Sequence, residues 1–313
     1  MAVNLLIFIG SILALVKSAT FATRYASDFA GNFRLPKYVV GFLVVGVISV
    51  MPETLVFANA VIRGVPSFGL GTLFGSNIAD FTLIFALVIF FAGRGIKIES
   101  KFIQNYGIYH LMILLPLILG ADGYYSRLDG MALVVVGLIF YFIIFRKSRS
   151  ISPPSKKKKK NKRKIYKAFF FLLFSMGALL VSSYFVVSSA TELARDLRIS
   201  PVLIGMLVVG VGTTMPELFF SIKSVRKNND GLAVGDILGT VLTDVTIIVG
   251  LVALISPFYF SSRIIYVTGI FMAISLFALL YLMRSGKVLT KRESYLLLAI
   301  YIVFVLVEFA INR

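Results

Sequence analysis

The chain has 313 residues, 58% of them apolar, and a mean hydropathy of +0.94. That is far above a soluble domain and in the range of polytopic membrane proteins. The absence of cysteine excludes a disulfide framework and a thiolate metal site, and the net charge of +18 reads as positive-inside topology, with no nucleic-acid partner expected.

A spanning helix needs about 20 predominantly apolar residues. The sequence offers ten such stretches, at roughly 3–28, 37–62, 69–92, 103–120, 128–146, 167–194, 201–224, 231–256, 263–284 and 293–311. The expected fold is an all-α membrane protein. The first stretch begins almost at Met1 without a basic leader or a convincing cleavage site, so it reads as a retained helix. Near its end stands Asp28, matched by Glu192 in the sixth stretch; both read as helix-end, interfacial groups.

The second and seventh stretches carry a repeated motif. Residues 41–53 read GFLVVGVISVMPE and residues 205–217 read GMLVVGVGTTMPE, with nine of thirteen positions identical at an offset of 164. At the same offset Gly71-x-x-x-Gly75-Ser76 recurs as Gly235-x-x-x-Gly239-Thr240, and Asp80 as Asp244. Five stretches fall in each copy, and an odd number inverts the second relative to the first. The expected organisation is a five-helix repeat at 1–145, a basic linker at 146–166 and a second five-helix repeat at 167–313.

Acids at membrane depth are costly, about 2.5–3.5 kcal/mol each, so Glu53, Asp80, Glu217 and Asp244 would together cost on the order of 10 kcal/mol if unpaired. Such residues face a bundle interior and mark ion pathways. Ser76 and Thr240 stand one turn before Asp80 and Asp244 on the same helix face. Ser49, Thr213 and Thr214 precede the Pro-Glu pairs. Pro52 and Pro216 donate no hydrogen bond, which frees the carbonyls of Ile48 and Gly212. Freed carbonyls at this depth belong in a polar cavity and can coordinate cations. Carboxylate, hydroxyl and carbonyl oxygens suit Ca²⁺ and can hold Na⁺. The glycines read as close-packing positions, and the lone His110 as a packing or interfacial residue.

The two segments resemble the alpha repeats of the cation/Ca²⁺ exchanger superfamily, above all its prokaryotic Na⁺/Ca²⁺ exchanger branch. The likeness is carried by Gly212-Thr213-Thr214-Met215-Pro216-Glu217 with Gly235 to Thr240 and Asp244, and by Met51-Pro52-Glu53 with Gly71 to Asn77 and Asp80. The resemblance implies alternating access, Ca²⁺ moving against Na⁺, with no enzymatic chemistry and no cofactor besides the transported ions. It implies Glu53 and Glu217 as central ligands, Asp80 and Asp244 one helix on, Ser76 and Thr240 as hydroxyl ligands, and Ser49, Thr213 and Thr214 around the helix breaks. Three departures stand out. Val50 occupies a hydroxyl position, Thr72 and Asp236 replace asparagines, and Asp80 adds a fourth core acid. Crowded buried carboxylates cannot all ionise, so a H⁺-coupled antiporter of the same fold is the alternative. Asp236, two turns before Asp244, reads as a cap or vestibule group, and Glu308 as a residue near the membrane surface.

The linker from Arg146 to Lys167 holds Ser152-Pro153-Pro154-Ser155 and then Lys156 to Lys160. It reads as a flexible tether and topology signal that can also meet anionic lipid. With ten spans, 24 of the 32 Lys and Arg fall on the linker side and 6 on the other, Lys17 and Arg24 lying within the first helix. The linker is therefore expected in the cytoplasm and both termini outside a cell membrane. A single chain is expected to suffice. A channel is disfavoured by the inverted halves. An intramembrane aspartyl protease would leave both Pro-Glu motifs unexplained.

Overall fold

The computed structural model describes residues 2–30, 49–98, 107–151 and 162–311. Among them, helix α1 spans Ala2–Ala30 and α2 Met51–Ile62. Helix α3 spans Pro66–Ala92 and is followed by strand β1, Ile96–Lys97. Helix α4 (Gly107–Leu119), strand β2 (Tyr124–Tyr125) and helix α5 (Arg127–Ile151) complete the first half. The second half holds α6 (Lys162–Leu197), α7 (Pro201–Arg226), α8 (Asp230–Ile255), β3 (Phe258–Tyr259), α9 (Ile264–Arg284), β4 (Val288–Leu289) and α10 (Lys291–Ile311).

Seven of these, α1, α3, α6, α7, α8, α9 and α10, are long and apolar enough to cross a membrane. At the other three expected places stand α2, α4 and α5; the stretch expected from 37 has only its second part among the described residues, and that expected from 103 begins outside them. The helices α5 and α6 run into the expected linker from both ends, so only 152–161 of it lies outside the described residues. The all-helical expectation also misses four two-residue strands, which form two antiparallel ribbons.

The same offset of 164 recurs in the elements. Met51–Ile62 matches Met215–Arg226, and Tyr124–Tyr125 matches Val288–Leu289. The strand pairing is reciprocal: β1 after α3 pairs with β4 before α10, and β2 before α5 pairs with β3 after α8. Helix α5 lies antiparallel to α8, with Gly130 against the Gly250 carbonyl and Gly137 against Thr246. Its Ile151 end therefore points to the face where α8 begins, called the linker face below.

Helices α3 and α8 form the centre, each with 83% of its most apolar stretch buried, whereas α1, α6 and α10 bury only 28–33% and show apolar side chains outward. A rim exposing Leu6, Phe174 and Leu306 suits lipid, not water. Close backbone approach locks the centre. A Cβ added to Gly75 would lie 2.6 Å from the Met206 carbonyl oxygen, and one on Gly210 would lie 2.9 Å from the Ser76 nitrogen. The glycines of α3 thus seat the first half of α7 directly against its backbone, as expected of small residues in apolar helices.

Candidate cation site

Both Pro-Glu pairs sit in the first turn of a helical segment. Helix α2 begins at Met51 after Val50, and α7 breaks at Thr214, with ψ near zero at both junctions (−4° and −3°). Proline fits the first turn of the new segment because it needs no donor there. Each glutamate then stands in that first turn, where the free N–H groups and the helix dipole favour negative charge. In the partner helices a wide, π-type turn opens at Asp80–Ile84 in α3 and at Thr243–Ile248 in α8, so Asp80 and Asp244 lie where the regular hydrogen-bond ladder is interrupted. Such turns concentrate at functional sites.

All four acids are buried, at no more than 1% exposure. Both carboxylate oxygens of Glu53, Asp80, Glu217 and Asp244 lack a hydrogen-bond partner. Burial of polar groups without partners is costly, and sites that keep them need a functional account. The acids share one interior: Met51–Ile62 packs on Thr243–Ile248, and Asp80–Ile84 packs on Asp230–Leu242. Among the described residues no three acidic or histidine side chains converge closely enough to hold a metal ion by themselves. An ion here would draw on mixed oxygen types.

The hydroxyls provide them. Ser76 Oγ donates to the Leu73 carbonyl at 2.8 Å, Thr213 Oγ1 to Gly210 at 2.9 Å and Thr214 Oγ1 to Val211 at 3.0 Å. Each hydroxyl spends its proton on its own helix and keeps lone pairs that can still accept. Thr240 Oγ1 has no partner, and Ser49 Oγ donates to Asp236 Oδ1 at 3.2 Å. All nine expected site residues are therefore buried around the two breaks and the two wide turns. The carbonyl of Ile48 lies outside the described residues.

A protein-family comparison matches residues 3–146 and 167–310 to the family described as sodium/calcium exchanger protein. The chain belongs to that family. Its members are ion exchangers, not enzymes, and this exchanger is a membrane protein. Among relatives, it is 28% identical over 262 residues to the inner membrane protein YrbG of Escherichia coli strain K12, covering 80% of this chain and 79% of YrbG. Two solved structures share its fold. The sodium-calcium exchanger NCX_Mj superposes with a TM-score of 0.71 at 22% identity, covering 96% of this chain and 97% of that one. The H⁺/Ca²⁺ exchanger CAX gives 0.78 at 18% identity, covering 97% and 82%.

The cap half of the cap-or-vestibule expectation for Asp236 is corrected in this exchanger: α8 starts at Asp230, and Asp236 is fully buried at its seventh position, with Oδ2 unpartnered. Glu308 stands three residues before Ile311 in α10, packed inside the protein at 1% exposure, and accepts a 2.5 Å bond from Thr268 Oγ1. Glu192 does behave as a helix-end group, paired with Arg195 at 3.2 Å on an exposed face; the Asp28 side chain lies outside the described ones. His110 stacks on Phe277 with ring centroids 4.6 Å apart. Three polar residues were given no role. Asn77, Ser221 and Ser275 are fully buried with unpartnered side-chain atoms. Ser221 had a legible signal, since it follows Glu217 by four residues on one helix face.

Proposed function

We propose that this exchanger is a secondary antiporter that moves Ca²⁺ against Na⁺ by alternating access, with ten spans in two inverted five-helix repeats. The cation site is built from Glu53, Asp80, Glu217 and Asp244 with the hydroxyls of Ser49, Ser76, Thr213, Thr214 and Thr240. One observation carries the reading: four buried carboxylates, two from each matched half, have no hydrogen-bond partner on any oxygen. Cations are the groups that satisfy them. Ca²⁺ accepts six to eight oxygens in loose geometry and tolerates mixed carboxylate, hydroxyl and carbonyl ligands. No cofactor is required. The basic linker lies in the cytoplasm of a cell membrane, held there by the Lys and Arg bias.

The fourth core acid, Asp80, and the apolar Val50 favour a second reading, H⁺-coupled Ca²⁺ exchange on the same fold. Relatives of both kinds share the architecture, so the fold does not choose. Reconstitution in liposomes does. Ca²⁺ uptake driven by an imposed Na⁺ gradient with pH clamped is expected. Uptake driven only by a pH gradient would replace Na⁺ by H⁺, and no Ca²⁺ uptake under either gradient would overturn the function.

A further inference from the structure

Helices α1 and α6 pack on each other along their length, and on their outer side they leave an open groove of about 600 Å³. Gly10 and Ala14 of α1 and Gly177 and Ala178 of α6 line its middle, with Phe174 and Phe185 toward its two ends. A Cβ added at Gly10 or Gly177 would meet nothing within 4 Å. Ser11 and Ser182 border the groove, yet each donates to a carbonyl of its own helix, Phe8 at 3.0 Å and Ala178 at 2.7 Å, so the lining offers no free donor. The lining runs over 7–18 on α1 and 174–185 on α6. At 1.5 Å per residue that is about 16 Å, close to half of a ~30 Å hydrocarbon core.

The two ends of the groove differ in charge. Toward the linker face, Lys17 and Arg24 follow Gly10 at seven-residue intervals on α1, and Lys167 precedes Phe174 by seven residues on α6, so all three border the line of the groove. Tyr25 stacks on Phe171 at 5.0 Å at this end, and the Lys167 ammonium lies 5.8 Å from the Phe171 ring centroid. All three cations are exposed, and among the described residues no acid pairs with any of them. Toward the opposite face stand Asp196, which accepts from Asn4 at 3.3 Å, and the Glu192–Arg195 pair. A cation on the outer side of a spanning helix is costly unless its head reaches the membrane interface or an anion.

We propose that this groove binds an anionic phospholipid of the linker-face leaflet, with one acyl chain lying along Gly10 and Gly177 and the phosphate held by Lys17, Arg24 and Lys167. Three features select that occupant. The lining is apolar and open to the bilayer, which suits a hydrocarbon chain. Its length matches the chains of one leaflet. The cations at one end and the acids at the other hold an anionic headgroup at the linker face only. A helix from a second copy would bury the same lining but leave the three cations without an anion. The site shares no residue with the central cation site, so either assignment can fail alone.

The test is native mass spectrometry of the full-length protein in detergent, titrated with phosphatidylglycerol and, separately, with phosphatidylcholine of the same chains. Wild-type protein is expected to retain one phosphatidylglycerol about tenfold more tightly than phosphatidylcholine. The double variant Gly10→Leu with Gly177→Leu fills the groove at two open positions where leucine also favours the helix. It is expected to weaken both lipids by about tenfold or more. The triple variant Lys17→Gln, Arg24→Gln and Lys167→Gln is expected to bring phosphatidylglycerol down to the level of phosphatidylcholine. Unchanged lipid retention in the filled variant overturns the groove. A preference for phosphatidylglycerol that survives the triple variant overturns the headgroup site and moves the preference to the Lys156 to Lys160 stretch. A wild-type dimer that the filled variant dissociates assigns the groove to a second copy and overturns the lipid. If the triple variant does not fold, the filled variant alone decides.

Discussion

Asp230 stands at the start of α8 where Pro66 stands, 164 residues earlier, at the start of α3. Around Asp230 the linker face is closed by charge. Arg94, just past the end of α3, contacts both Asp230 oxygens at 2.6 and 2.7 Å and donates to the Val225 carbonyl at 2.6 Å. The Lys97 nitrogen adds a bond to Asp230 at 2.7 Å, and Arg226 binds the Phe91 carbonyl. Around Pro66 the opposite face is closed without an acid–base pair among the described residues: Ser261 N donates to Ser67 Oγ at 3.0 Å, and Tyr124 stacks on Tyr259. One scaffold, used twice, thus has one face tied by the Arg94–Asp230 ion pair and the other by aromatic packing and hydrogen bonds to backbone carbonyls, among them Tyr266 on Ala121 and Arg263 on Ile311. Alternating access requires two closures that trade places, and unlike closures give the two end states unequal free energy.

The comparison breaks first at the glutamates, where the halves are alike. Glu53 and Glu217 occupy equivalent helix starts and are equally bare of partners. Glu53→Gln and Glu217→Gln should each abolish Ca²⁺ uptake in liposomes, by about a hundredfold or more, since one charged ligand is worth roughly 3 kcal/mol at this depth. Both variants should remain folded in the membrane. Full activity in either would show that the repeat does not place its two glutamates around one ion.

Next come the closures. Removing Arg94 leaves the buried Asp230 charge without its cation and with the Lys97 backbone N–H still on it; the third of the Arg94 side chain that is solvent-exposed tempers the loss. Arg94→Ala should lower unfolding stability by about 2 kcal/mol and increase the labelling of a cysteine introduced near the linker face. Ser67→Ala on the opposite face should cost about 1 kcal/mol or less. Equal losses would mean that the charged clamp is ordinary packing, and unchanged labelling in Arg94→Ala would separate it from access.

The duplication, the buried acids and most helix bounds were legible because each is a local or periodic property: apolar runs set spans, prolines set breaks, and the offset set the match. Burial of Asp236 and Glu308 was not. Both lie toward helix ends in sequence, and tertiary packing takes their water away: Asp236 sits where α8 lies on the second half of α7 and accepts from Ser49, and Glu308 where Thr268 of α9 reaches α10. The wide turns at Asp80 and Thr243 carry no glycine or proline signal. Two further wide turns, at Gly205–Val209 in α7 and Ile264–Gly269 in α9, hold no acid, so such turns follow from tertiary fit that no single helix encodes. The Arg94–Asp230 clamp joins residues 136 apart at positions without a repeat counterpart, so the internal symmetry that exposed the site concealed the clamp.

The smallest effect is expected at the one hydroxyl of the proposed central site that the halves do not share. Val50 is fully buried at the α2 break, and its match Thr214 carries a hydroxyl that donates to the Val211 carbonyl and keeps its lone pairs. Val50→Thr adds an oxygen at a position where only the second half has one, at the cost of placing a hydroxyl in an apolar niche. If Na⁺ drives exchange, the added ligand should lower the Na⁺ concentration at half-maximal Ca²⁺ uptake by about threefold, a gain below 1 kcal/mol, with little change in Ca²⁺ affinity. If H⁺ drives exchange, the same variant should leave the pH dependence of uptake where it was. A fall in transport under both gradients would mean that Val50 is there to keep this flank of the break dry, and that the asymmetry between the halves is one of packing rather than of ligands.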